Sequence, residues 1–135
     1  MGSYFVRKNN LLKVKSVNFC VYCGSCKNLV IDHIIPRNKG GNNEISNLTR
    51  SCNRCNLYKS DFTINQFLKR IEDKREKAGQ IISSCIYIIL KHRKRGTQIT
   101  SKYQNVYTTL KNEREKHSYY SSIIGNIIRG KYKLF

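Results

Sequence analysis

The hydrophobic period of the chain changes near residue 62, and the change divides it. Leu29–Ile35 (LVIDHII) is dense in β-branched residues and ends at Pro36, which predicts a strand. Residues 37–43 (RNKGGNN) predict a loop, because Gly40-Gly41 and the asparagines accept positive φ and close backbone turns. Asn47–Ser51 predicts a second short strand, antiparallel to the first, and Asn53 to about Ser60 a short helix. From Phe62 onward the period becomes helical, with Ile64, Phe67, Leu68 and Ile71 at i, i+3, i+4 and i+7. Thr63 and Gln66 have capping-box spacing, with Phe62 and Phe67 as candidate staple residues, so a helix from Thr63 to about Lys77, stopped near Gly79, is expected. Ile81–Leu90 and the cationic turn Lys91–Arg95 predict a second helix ended by Gly96. Ile99, Tyr103, Val106, Tyr107 and Leu110 mark a third. Tyr119, Tyr120, Ile123, Ile124, Ile127 and Ile128 mark a fourth, with Gly130 after it. Residues 1–17 mix Leu11, Leu12, Val14 and Val17 with Lys and Arg, and suit a short helix or an edge strand equally. The fold class expected is α+β. A small strand–loop–strand–helix core in residues 1–61 precedes a mainly helical, basic accessory region in residues 62–135.

Charge adds a partner to this outline. The 135 residues carry 26 Lys and Arg against 8 Asp and Glu, a formal net charge of +18. Residues 1–61 hold 10 basic and 3 acidic side chains (+7), and residues 62–135 hold 16 and 5 (+11). A surplus this large points to a polyanion, nucleic acid ahead of an anionic membrane, and both parts of the chain are able to touch phosphates. MGSYFVRKNN is not followed by an apolar signal core, and Gly2 lacks the Ser or Thr at position 6 that myristoylation expects. The longest apolar run, Ile81–Leu90, is ten residues with two serines inside it, too short to span a bilayer. The expectation is an intracellular protein without a membrane partner. Its six cysteines are then read as reduced and metal-binding rather than as a disulfide framework.

The cysteines lie in the stretch NFCVYCGSCKNLVIDHIIPRNKGGNNEISNLTRSCNRCNLYKSD, residues 18–61. Cys20/Cys23 and Cys52/Cys55 are two Cys-x2-Cys pairs separated by 28 residues, four soft ligands that close a tetrahedron around a structural zinc ion. Cys26 offers a third thiol near the first pair, but the x2 spacing of Cys20 and Cys23 matches that of Cys52 and Cys55. Cys26 and Cys85 are read as free thiols. Between the pairs stand residues that zinc does not need. Adjacent strand residues face opposite ways, so Asp32 and His33 are able to do separate work: Asp32 holding a hard divalent cation, His33 activating a water. An imidazole exchanges its proton near neutral pH and suits a general base. Asn47 is a candidate to fix the imidazole, and Asn56, early in the short helix, to present its side-chain oxygen to the same cation. Arg37, Lys39, Arg54 and Lys59 are candidate phosphate contacts.

Asp32-His33-Ile34-Ile35-Pro36, Gly40-Gly41, Asn47-Leu48, Cys52-x2-Cys55-Asn56 and Lys59 together resemble the signature of the HNH endonuclease family in its zinc-stapled ββα-metal form, over about a third of the chain. The resemblance implies hydrolysis of DNA phosphodiester bonds, with His33 as general base and Asn47 as its positioner. It implies one divalent cation, Mg²⁺ with Mn²⁺ or Ni²⁺ accepted, held by Asp32 and Asn56. Ends with a 5′-phosphate and a 3′-hydroxyl would follow. The last family position is His in many members and Asn56 here, which makes this the H-N-N variant. Homing, restriction and nicking roles all suit a small protein of this kind. The alternative is a non-catalytic zinc-stapled protein that binds DNA or RNA, the tyrosines of the basic C-terminal part then stacking single-stranded bases. Ile81–Leu90 is apolar enough to serve as the interface of a homodimer.

Overall fold

The computed structural model describes residues 7–95 and 104–135. Among them are four α-helices and one two-stranded sheet, so the α+β expectation holds. The N-terminal ambiguity resolves as a helix, α1 (Lys8–Lys15), which buries Val14. Strand β1 (Leu29–His33) pairs antiparallel with β2 (Leu48–Cys52), Leu29 opposite Cys52 and His33 opposite Leu48. The first strand ends two residues before Ile35 for a local reason. The backbone N–H of Ile35 donates to the Asn47 side chain at 2.8 Å, and its carbonyl accepts from the same side chain at 3.1 Å. A side chain thus takes the place of the next rung.

Helix α2 (Asn53–Lys59) follows β2 directly and packs on both strands. Helix α3 (Ile64–Arg95) starts with the expected capping box: Gln66 N–H donates to Thr63 Oγ1 at 3.2 Å, and Thr63 N–H to Gln66 Oε1 at 3.0 Å. Phe67 sets its ring edge-on against Tyr22, with centroids 5.3 Å apart. The helix does not stop at Gly79. A glycine inside a helix costs about 1 kcal/mol relative to alanine, which does not end a helix whose apolar stripe continues. Here Ala78, Cys85 and Ile89 are buried on that stripe. The expected stop at Gly96 and the beginning of the third helix at Ile99 and Tyr103 lie outside the described residues. From Asn105 the third and fourth predicted helices form one, α4 (Asn105–Ile128), and Gly130 closes it with φ +69°.

Packing divides the chain into two units. The first takes the described residues up to Arg70 together with Ser122–Phe135. Its buried apolar residues include Val21, Tyr22, Leu48, Phe67, Ile123 and Ile127, and Asn126 Nδ2 of α4 donates to the Tyr22 carbonyl at 2.7 Å. The second, Ile71–Ser121, is a helix pair in which Cys85 and Ile89 of α3 meet Leu110 of α4, flanked by Ile82 and Val106. Ile81, Ile86, Tyr87 and Leu90 of the second unit are exposed. No helix of the described residues is long and apolar enough to cross a membrane.

Candidate metal centre and active site

The four cysteines of the two pairs come together. Their sulfur atoms all lie within 4.8 Å of one another, and Cys23 Sγ is 3.6 Å from Cys52 Sγ. A tetrahedral zinc ion with bonds of about 2.3 Å to sulfur sets its ligands about 3.8 Å apart, so the cluster is of the right size. Two tight turns prepare it. Gly24 takes φ +81° and returns its N–H to the Cys20 carbonyl at 2.8 Å, which curls the first pair. The second pair sits on the first turn of α2. In each pair the first sulfur accepts the backbone N–H of the second cysteine, Cys23 to Cys20 at 3.5 Å and Cys55 to Cys52 at 3.4 Å. Hydrogen bonds from the thiols of Cys23 and Cys55 hold the Cys20 thiol far below its ordinary pKa, while its hydrogen bond to Cys20 pushes the Cys23 thiol up. Cys20 is thus set to be a thiolate, the form that binds metal. None of the six cysteines is in a disulfide, Cys26 is exposed, and Cys85 is buried in the second unit.

A cavity of about 580 Å³ is lined among others by Asp32, His33, Arg37, Asn56 and Asp61. Four of the residues singled out in the sequence therefore share one space: Asp32 and His33 from the end of β1, Arg37 from the loop that follows it, and Asn56 from α2. Asp32 is largely buried, with 7 % exposure. Burial pushes its carboxyl pKa up, and Lys59 opposes that rise, its Nζ 3.2 Å from Oδ2. Tyr22 adds a hydroxyl that donates to the same oxygen at 3.3 Å, and burial together with the nearby carboxylate raises the tyrosine's own pKa. His33 is half-buried, with Nε2 2.8 Å from Asn43 Oδ1. One carboxylate and one amide oxygen on an open cavity form a donor set suited to a hard cation that keeps part of its water shell. Asp32 and Asn56 fit that role.

Two expected contacts are placed differently. Asn47 is buried, and its side chain bonds backbone rather than the imidazole: Oδ1 accepts from Ile35, while Nδ2 donates to the carbonyls of Ile35 and of Asn42, the latter at 2.8 Å. Lys59 is 0 % exposed, and its ammonium also donates to the His33 carbonyl at 2.8 Å. A phosphate cannot reach a cation buried in this way, so Lys59 is a structural cation of the site. Arg37, Lys39 and Arg54 are exposed. Lys39 Nζ donates to the Asp61 carbonyl, and Asn38 Nδ2 to the Asp61 carboxylate at 2.9 Å, which ties the loop to the end of α2.

Asn43 and Tyr22 went unnoticed in the sequence. Asn43 stands in an asparagine-rich loop where spacing carries no signal. The position of Lys59 was readable: it lies one helical turn after Cys55, on the face that the cysteine turns inward. Residues 20–72, spanning both cysteine pairs and the cavity, match the family model described as HNH endonuclease. No curated protein and no solved structure matches the chain.

Proposed function

From the match of residues 20–72 to the family model described as HNH endonuclease, we propose that the chain is a metal-dependent endonuclease that hydrolyses phosphodiester bonds of DNA. The observation that carries this reading is the single cavity lined by Asp32, His33 and Asn56. His33 removes a proton from a water molecule, and the water oxygen attacks phosphorus in line with the bond to the 3′ oxygen. That bond breaks, the leaving oxygen takes a proton from solvent, and the ends carry a 5′-phosphate and a 3′-hydroxyl. Asp32 and Asn56 would hold the divalent cation, Mg²⁺ or Mn²⁺, which when bound supplies positive charge to the scissile phosphate and to the departing oxygen. Asn47 acts at one remove, by fixing the backbone of Ile35 and Asn42 on either side of the site.

The zinc cluster of Cys20, Cys23, Cys52 and Cys55 staples a module too small to be stable on its own apolar core. Arg37 at the cavity, with exposed Lys39 and Arg54, draws the phosphate backbone in, and the basic region 62–135 extends those contacts or joins two chains. One such centre cuts one strand, so nicking is its elementary act. Double-strand cleavage in a homing or restriction role needs a homodimer or two successive nicks. The double-stranded substrate and an intracellular, thiol-reducing setting belong to the same proposal.

The test is supercoiled plasmid incubated with zinc-loaded protein and Mg²⁺ or Mn²⁺, beside the His33→Ala variant. The native chain nicks or linearises the plasmid and the variant does not. Intact plasmid under every divalent ion, or equal cutting by His33→Ala, rejects the enzyme and leaves a zinc-stapled DNA- or RNA-binding protein.

A further inference from the structure

We propose that Asn43 is the positioning residue for His33, accepting the Nε2 proton and so leaving Nδ1 as the nitrogen that takes the proton from water; the assignment rests on the nuclease reading above. The hydrogen bond between His33 Nε2 and Asn43 Oδ1 is 2.8 Å long. An amide oxygen only accepts, so the partner nitrogen must carry the hydrogen, and in a neutral imidazole the other nitrogen is then the acceptor. Asn43 does not line the cavity, whereas His33 does. The nitrogen tied to Asn43 is therefore held away from the reacting water, and Nδ1 is the one left to meet it.

A positioning residue must itself be held, and the 41–44 loop is built for that. Gly41 N–H donates to the Pro36 carbonyl at 3.0 Å. A Cβ on Gly41 would lie 1.8 Å from the Ile35 carbonyl oxygen, so only glycine lets the loop lie this close to the strand end. Asn42 is fixed on both sides: its carbonyl accepts from Asn47 Nδ2 at 2.8 Å, and its side-chain oxygen accepts from Glu44 N–H at 3.1 Å. Asn43 sits between these anchored neighbours. Asn47 thereby reaches the imidazole through two residues rather than by touching it, its side chain gripping the loop and the loop presenting Asn43.

The direct measurement is of the ring nitrogens. A long-range ¹H–¹⁵N correlation on zinc-loaded, uniformly ¹⁵N-labelled full-length protein separates the three histidines of the chain, His33, His92 and His117, and His33→Gln assigns the signal. In the neutral imidazole the expected pattern is a protonated Nε2 and a bare Nδ1. A protonated Nδ1, or two tautomers in exchange, overturns the proposal. In the plasmid assay, Asn43→Leu lowers kcat by about 10- to 100-fold at unchanged KM, as loss of a partner that orients a reactive imidazole does. Asn43→Asp, which keeps an accepting oxygen in the same place, restores most of that loss. Native kcat in Asn43→Leu, or no recovery in Asn43→Asp, also overturns it. Should the native protein cut no DNA, the nuclease reading fails, and the ring nitrogens alone then support or overturn the pairing of His33 with Asn43.

Discussion

Replacing Lys59 by methionine asks how much one buried charge does for the site. The side chain keeps its length and loses its ammonium, so Asp32, at 7 % exposure, is left without its counter-ion, and the His33 carbonyl loses a donor. Breaking a buried ion pair by removing one partner costs about 3–5 kcal/mol, because the surviving charge stays desolvated. The lower end applies here, since the Tyr22 hydroxyl still donates to Asp32. A loss of about 3 kcal/mol lowers the folded-to-unfolded ratio by roughly two orders of magnitude and lowers Tm by roughly 12 °C or more in a unit of this size. Thermal unfolding of zinc-loaded native and Lys59→Met protein measures it. The double variant Asp32→Leu/Lys59→Met leaves neither charge behind and regains more than half of the loss, since an apolar pair of similar volume replaces a buried ion pair at little cost. The pH dependence has a definite sign. Burial already raises the folded-state pKa of Asp32 above its unfolded value, and Lys59 is what opposes the rise. Without Lys59 the folded pKa climbs further, so the penalty is full above that pKa and shrinks progressively as the pH falls from it toward the unfolded value. The gap between native and variant must therefore narrow on acidification, the zinc contribution being common to both. A gap under about 1 kcal/mol, or one that widens as the pH falls, refutes the reasoning, because an ion pair that mattered so little would behave like an exposed one.

Elemental analysis of purified protein should give one tightly held zinc per chain, and Cys55→Ser should lose both the metal and the cooperative thermal transition; a metal-free chain that unfolds cooperatively contradicts the four-thiolate staple. Gly41→Ala should destabilise by about 1–3 kcal/mol in chemical denaturation, because its methyl meets the Ile35 carbonyl oxygen at 1.8 Å and backbone has to give way; an unchanged midpoint rejects the close approach. DNA affinity, measured by fluorescence anisotropy, should fall more than tenfold between 50 and 200 mM salt if several of the exposed cations neutralise phosphates. A flat response would assign the +18 charge to something other than a nucleic-acid backbone.

What the sequence discloses about this site follows from how local each signal is. The cysteine pairs are legible because a chelating x2 spacing is itself the geometry, and the sulfur atoms meet as that spacing requires. The capping box of Thr63 and Gln66 is legible for the same reason, both partners lying within one turn. Asp32 and His33 are legible as strand neighbours with opposite faces, but not what each face meets. The partners of Asp32 come from position 22 and position 59, and those of His33 from position 43, brought in by a turn, a helix and a loop whose packing no period encodes. Gly79 misled for the converse reason. Glycine ends a helix when the chain after it needs a left-handed residue or turns polar, whereas here the stripe through Ala78, Ile82, Cys85 and Ile89 keeps its spacing across it. A charged residue one turn from a zinc ligand, such as Lys59 after Cys55, belongs to the buried face as much as the ligand does. Read that way, the sequence alone would have placed Lys59 against the Asp32-His33 strand rather than against DNA. It is this inward cation, together with the loop that Asn47 grips, that holds two ordinary strand residues, Asp32 and His33, at the wall of one cavity.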